Sequence, residues 1–255
     1  MRFFRKRTNP TREECIDLAG SLDEVFDDVT RVLRVGATSE ELNTTAEVAI
    51  RTRGLASLYY SRRFPHYVSV SVDNQVATTP PSNARFQHGQ LVTVSVGIKR
   101  DHIALYRSWT YALGSVCKDD ARLLNGSHQA LMDAVAATNS GATIRDISAA
   151  IAATLAKSDL AACRKFQGHA ITCKPYGGAS IPQFVTQQSK EMDLKLRSDQ
   201  VLSLAVLATT GSWDTVDTAS GTVTRDGSKS VQFIHLVAVD PDGCTVLTKD
   251  RTLQR

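Results

Sequence analysis

From Thr11 to about Arg34 the apolar residues Ile16, Leu18, Ala19, Leu22, Val25, Phe26, Val29, Val32 and Leu33 recur at helical spacing. That periodicity predicts an amphipathic helix, opened by a capping box of Thr11 with Glu14 three residues on. After Val35-Gly36-Ala37, Thr38 and Glu41 repeat the cap signature, and a second helix runs to about Arg53, closed by Gly54. The period then changes to two. Residues 67–72 (Tyr-Val-Ser-Val-Ser-Val) and 91–98 alternate as strands, a third stretch runs from about Ile103 to Leu113, and a Thr-Thr-Pro-Pro-Ser-Asn loop lies between the first two. The order then restarts: helices over about 123–137 and 143–161, then strands near 164–171, 201–208, 230–240 and 245–248.

The restart can be checked by subtraction. Gly36-Ala37-Thr38 recurs as Gly141-Ala142-Thr143, 105 residues later, and Leu42 matches Ile147 at the same offset. Phe64-Pro65-His66 is loosely echoed by Phe166-Gln167-Gly168-His169. With the element order shared by both halves, this predicts a duplicated α+β architecture. A basic arm is expected over 1–10 and one domain over 11–255, its halves near 11–115 and 116–255.

The segments Phe64-Pro65 before a Val-Ser-Val-Ser-Val strand, Gly141-Ala142-Thr143-Ile144, Gly168-His169-Ala170-Ile171, Ser230-Val231-Gln232-Phe233-Ile234-His235 and Asp242-Gly243-Cys244-Thr245-Val246-Leu247-Thr248 give the chain a family likeness. It resembles the type I methionine aminopeptidases over nearly all of 11–250. The resemblance implies the pita-bread fold shared with creatinase and aminopeptidase P: two pseudo-symmetric α-α-β halves around a curved antiparallel sheet. It also implies two divalent metals, held by two Asp, one His and two Glu, that activate a water against a peptide bond.

Carried over position by position, those five ligands fall on Ser95, Tyr106, His169, Ala205 and Ile234. Two accessory histidines of the family fall on Thr78 and Tyr176. Only His169 keeps its residue type, and no Glu follows Glu191 in the sequence. One neutral imidazole cannot hold two mutually repelling dications, so no metal and no cofactor are expected, and the family's peptidase activity is expected to be absent. Apolar replacements remove carboxylates that would repel one another without metal. They predict a filled or vestigial site; the alternative is a reshaped pocket with Tyr106, His169 and Tyr176 as its polar groups.

Two readings of function follow. In the first, the chain is a binding module for a peptide or protein partner. In the second, the pocket performs metal-independent chemistry on a small molecule, with His169 as acid or base. His169 is otherwise read as a core histidine, His235 as structural on the opposite face of its strand, and Cys173 as a structural thiol. Asp214 and Asp217 read as part of a polar loop, with Trp213 in a solvated turn.

Composition changes this picture little. The 255 residues are 42% hydrophobic and 22% charged, ordinary for a folded chain. Five cysteines with no CxxC spacing disfavour a zinc site or disulfide framework and suit a reducing compartment, so a cytoplasmic location without membrane is expected. The net charge of +4 matches in size the four carboxylates that the resemblance expects and this sequence lacks, so specific nucleic-acid binding is not implied.

Overall fold

The computed structural model describes residues 9–186 and 189–255. Most of the basic N-terminal arm expected over 1–10 therefore lies outside the described residues. Helix α1 spans Arg12–Arg31, and its N-cap Thr11 and Glu14 form the full capping box. One residue separates expectation from structure here: Ile16 is exposed, whereas its neighbour Cys15 is fully buried. Helix α2 spans Ser39–Thr52, capped by Thr38. Two short pairings follow, β1 (Ala56–Ser57) with β4 and β2 (Val68–Val72) with β4, where β4 is Leu91–Arg100. β3 (Gln75–Ala77) lies between β2 and β4 in sequence, and β5 (Ile103–Ala112) pairs with β4 along its whole length.

In the second half, α3 (Lys118–Ala136) begins five residues before the apolar pattern does, because Cys117 caps it and Asp119 and Asp120 fill its polar first turn. Helix α4 spans Ile144–Lys157, with Thr143 and Asp146 as a second capping box. The strands are β6 (Ala161–Ala162), β7 (Gly168–Ala170), β8 (Ser180–Ile181), β9 (Val201–Thr209), β10 (Thr215–Thr218), β11 (Gly221–Thr224), β12 (Ser230–Asp240) and β13 (Gly243–Val246). The expected strand over 164–171 thus shrinks to β7, and β6 lies just before it, at the expected end of the helix. The expected polar loop around Asp217 is in part a hairpin, β10–β11, whose second strand pairs with β3 of the first half.

The duplication extends to backbone detail. Gly36 and Gly141 both adopt left-handed φ, +84° and +95°, two residues before the N-caps Thr38 and Thr143. Each cap also makes an isolated antiparallel bridge, Thr38 to Arg85 and Thr143 to Lys195.

All pairings between the named strands are antiparallel, but the expected curved sheet is assembled from two principal ladders. One contains β2, β4 and β5; the other runs β13-β12-β9-β7-β8. β5 lies alongside β12, and a side chain joins them. Thr110 Oγ1 accepts from the Gln232 N–H at 2.8 Å and donates to the Gln232 carbonyl at 3.1 Å. A threonine hydroxyl, both donor and acceptor, stands in for the missing ladder bonds.

Alternation along these strands sorts their side chains onto two faces. Arg107, Trp109, Phe233 and His235 face the helices, where Arg107 packs on the Phe26 ring and pairs with Asp23. Tyr106, Ser108, Gln232 and Ile234 face the other way, toward a cavity. Both faces are buried, which is why β5 and β9 are buried at every position. Each fully buried Leu, Val or Phe on the helix side stabilises the fold by about 1.5–3 kcal/mol. Among the described residues no helix is long and apolar enough to cross a membrane.

Candidate functional site

The cavity lies where β4, β5 and β12 present their second face. Register sets Ser95 opposite Ser108, and their hydroxyls are 2.7 Å apart. Tyr106 sits opposite Gly97. A Cβ at Gly97 would fall 2.9 Å from Leu58 Cβ and 3.3 Å from Tyr106 Cβ, so glycine is what admits both neighbours. Ile234 is in register with Ala205, and the two pack with Tyr106 into a small apolar cluster backed by Leu58. The deep end of the site is therefore filled with carbon.

His169 stands on β7 in register with Ser203 of β9. The Tyr106 hydroxyl lies 3.1 Å from His169 Nδ1 and accepts from Ser203 Oγ, also at 3.1 Å. The Tyr106 and His169 rings stack at 5.5 Å, and Tyr176 leans on each at 5.3 Å. Burial dominates their proton affinities. It pushes the Tyr106 phenol well up, against a smaller opposing effect of the Ser203 hydrogen bond; Tyr176 is an exposed residue overall, and the neighbouring rings that shield its phenol raise it in the same direction. It lowers the His169 imidazole, partly offset by a hydrogen bond to the Gln167 backbone. At pH 7 all three groups are neutral.

In front of this cluster the structure is open. The cavity has a volume of about 610 Å³, and Tyr59, Phe64, Phe166 and Tyr176 supply aromatic walls. Among the described residues, no Asp, Glu, Lys, Arg or His lines it. Its backbone is unusual as well. Among the described non-glycine residues with positive φ, four are turn aspartates; the other three, Thr78, Phe166 and Tyr176 at +55° to +57°, all line this cavity. Left-handed backbone is costly for a β-branched or aromatic residue, and such strain concentrates where a site over-determines it.

The seven positions singled out by the sequence thus come together. Thr78, Ser95, Tyr106, Tyr176 and Ile234 line the cavity, while His169 and Ala205 lie behind that wall. Tyr106, Ala205 and Ile234 pack the deep end, whereas the space in front of them, lined by Ser95 and Thr78 among others, is an open cavity. The remaining candidates lie elsewhere. His235 is fully buried on the helix side with its Nδ1 2.9 Å from Thr248 Oγ1, and Cys173 is not a lining residue. Trp213 stacks under the Arg164 guanidinium at 4.1 Å. Sequence reading passed over Tyr59, Phe166 and Gln232 as wall residues. Gln232 had a usable signal: it lies two residues from Ile234 on one strand and so shares its face.

With this geometry in view, comparison with known proteins is decisive for the family. The sequence model for metallopeptidase family M24 matches residues 14–241. The chain belongs to that family. Among curated relatives, the methionine aminopeptidase of Treponema pallidum is 25% identical over 237 residues, covering 92% of each chain. Methionine aminopeptidase A of Synechocystis is 27% identical over 229 residues, covering 88% of this chain and 89% of its own. Of solved structures, the methionine aminopeptidase of Rickettsia prowazekii superposes with a TM-score of 0.86 at 22% identity, over 96% of this chain and all of the other. The prolidase of Pyrococcus furiosus gives 0.75 at 15% identity, over 96% of this chain and 66% of its own. The α+β pita-bread fold is thereby shared across the M24 family and this member.

A metallopeptidase centre needs hard anionic oxygens around its cations. The cavity of this M24 member is lined by serine and threonine, three tyrosines and two glutamines, with one imidazole behind them. Among the described residues, no group of three or more His, Cys, Asp or Glu is placed to hold a metal ion. The donor set present does not fit a two-cation site.

Proposed function

We propose that this M24 member is a binding protein whose central cavity holds an uncharged organic guest, and not a dinuclear metallo-aminopeptidase. The observation that carries the reading is the cavity itself: about 610 Å³, walled by aromatic side chains and lined by no ionisable carboxylate or imidazole. That volume is typical of small-molecule sites and also admits an apolar side chain of a peptide or protein partner. Positions 95, 106, 205 and 234, which the resemblance assigns to metal carboxylates, carry a hydroxyl, a phenol and two apolar groups.

The catalytic alternative finds less support. His169 does not line the cavity, and burial keeps it neutral behind Tyr106, whose phenol holds its proton far above neutral pH. A general acid or base works best with a proton affinity near the operating pH and within reach of its substrate. The test is hydrolysis of Met-Ala-type peptides with added cobalt or manganese. No turnover above blank is expected; metal-dependent turnover that vanishes in His169→Ala would overturn the proposal.

A further inference from the structure

Gln232 is 94% buried, with 6% of its surface exposed. Its backbone N–H and carbonyl are both bonded to Thr110 Oγ1, yet its side-chain amide has no hydrogen-bond partner among the described residues. Gln232 lines the cavity, as do Ser95 and Ser108, whose hydroxyls bond to each other. The Gln232 amide atoms are not among the fully buried, unpartnered side-chain atoms of the described residues, so they open onto the cavity, where water or a guest can pair with them. A glutamine amide offers a carbonyl acceptor and two N–H donors in one plane. Its complement is another amide edge, one acceptor beside one donor.

The rest of the wall sets the remaining chemistry. Charged guests are disfavoured because, among the described residues, no lining residue carries a charge to compensate them. Tyr59, Phe64, Phe166 and Tyr176 present ring faces and edges suited to a flat apolar body. We infer that the cavity takes an uncharged molecule with a flat apolar body and one amide edge, held at its polar end by the side-chain amide of Gln232. This inference rests on the reading of the cavity as a binding site. An amide edge occurs both in free carboxamides and in a capped peptide, and the test separates these sources.

Four probes are titrated into the full chain by calorimetry: 2-naphthamide, 2-naphthoate, 2-naphthylmethylammonium and N-acetylphenylalaninamide. The naphthamide is expected to bind at least about tenfold more tightly than either ion, since a buried charge there lacks a partner. N-acetylphenylalaninamide binding as well as the naphthamide assigns the edge to a peptide; weaker binding assigns it to a small molecule. Gln232→Met should lower naphthamide affinity about fivefold to tenfold, the worth of one neutral hydrogen bond or slightly more. Should that variant fail to fold, the side-chain amide resonances of Gln232 in the native protein must shift on naphthamide addition. Equal or tighter binding of either ion, no binding of any probe, or an unmoved Gln232 amide overturns the inference. Such a result without metal-dependent hydrolysis leaves the binding reading standing; hydrolysis brings down both.

Discussion

The Tyr106 hydroxyl lies 3.1 Å from His169 Nδ1, and the two rings stack with centroids 5.5 Å apart. The pair joins the two halves of the duplication, since Tyr106 comes from β5 and His169 from β7. It also closes the wall between the cavity and the imidazole. Tyr106 contributes a phenol that is satisfied on both sides, by His169 and by Ser203.

Tyr106→Phe removes only an oxygen but leaves two buried polar groups, the Ser203 hydroxyl and His169 Nδ1, without that partner. A loss of about 1–3 kcal/mol in unfolding free energy is expected, read from urea denaturation, with the fold retained. An unchanged midpoint would show that the hydroxyl contributes nothing to the wall.

Ile234→Glu places a carboxyl at the position the family resemblance gives to a metal ligand, in a side chain that is 1% exposed. With no cation to pair it, the protein should lose about 3–5 kcal/mol at pH 7, the cost of an uncompensated buried charge. Burial raises the folded-state proton affinity above the unfolded carboxyl's, so the folded state holds the extra proton. The deficit should therefore be small below about pH 4 and grow as pH rises through the unfolded value. Thermal melts across pH 3 to 8 check the slope; recovery of wild-type stability at pH 7 with added manganese would argue that a metal site persists.

His235 predicts a different acid response. Burial first, and then the nearby Arg107, lower its imidazole to about 4, with Asp250 opposing. The unfolded chain binds this proton near pH 6.5, where the folded chain does not. Stability is then full above about pH 6.5 and declines as pH falls toward 4, by on the order of 3 kcal/mol from this group. His169, lowered in the same direction, adds to the slope. Urea midpoints between pH 7 and 4 should show the decline, and His235→Asn should flatten most of it. A variant with the parent slope would place the proton uptake elsewhere.

Much of the fold was legible in the chain because its signals are local. Thr11-x-x-Glu14 and Thr143-x-x-Asp146 are capping boxes whose partners are three residues apart, and both form. Period-two runs found β2 and β4 because one repeating choice of side chain marks each strand. The β10–β11 hairpin escaped because its residues are half-exposed and polar, and its pairing with β3 spans some 145 residues. Helix α3 began early for a related reason: its first turn is fixed by a cysteine cap and charge, not by apolar period.

The sequence by itself determined the duplicated α+β plan and the identity of the groups at seven linked positions, since residue type and spacing are properties of the chain. It also determined that His169 has no carboxylate among the other six. Only the tertiary structure decided what fills the space those residues surround. Whether Ala205 and Ile234 close on Tyr106, or leave about 610 Å³ open in front of it, depends on how far β5, β9 and β12 stand apart and where Phe64, Phe166 and Tyr176 stop. It likewise decided that the Gln232 amide faces this space with no partner, because satisfaction of a hydrogen bond is a relation between distant segments. Volume and pairing belong to the packed ensemble of side chains, and no local pattern encodes them.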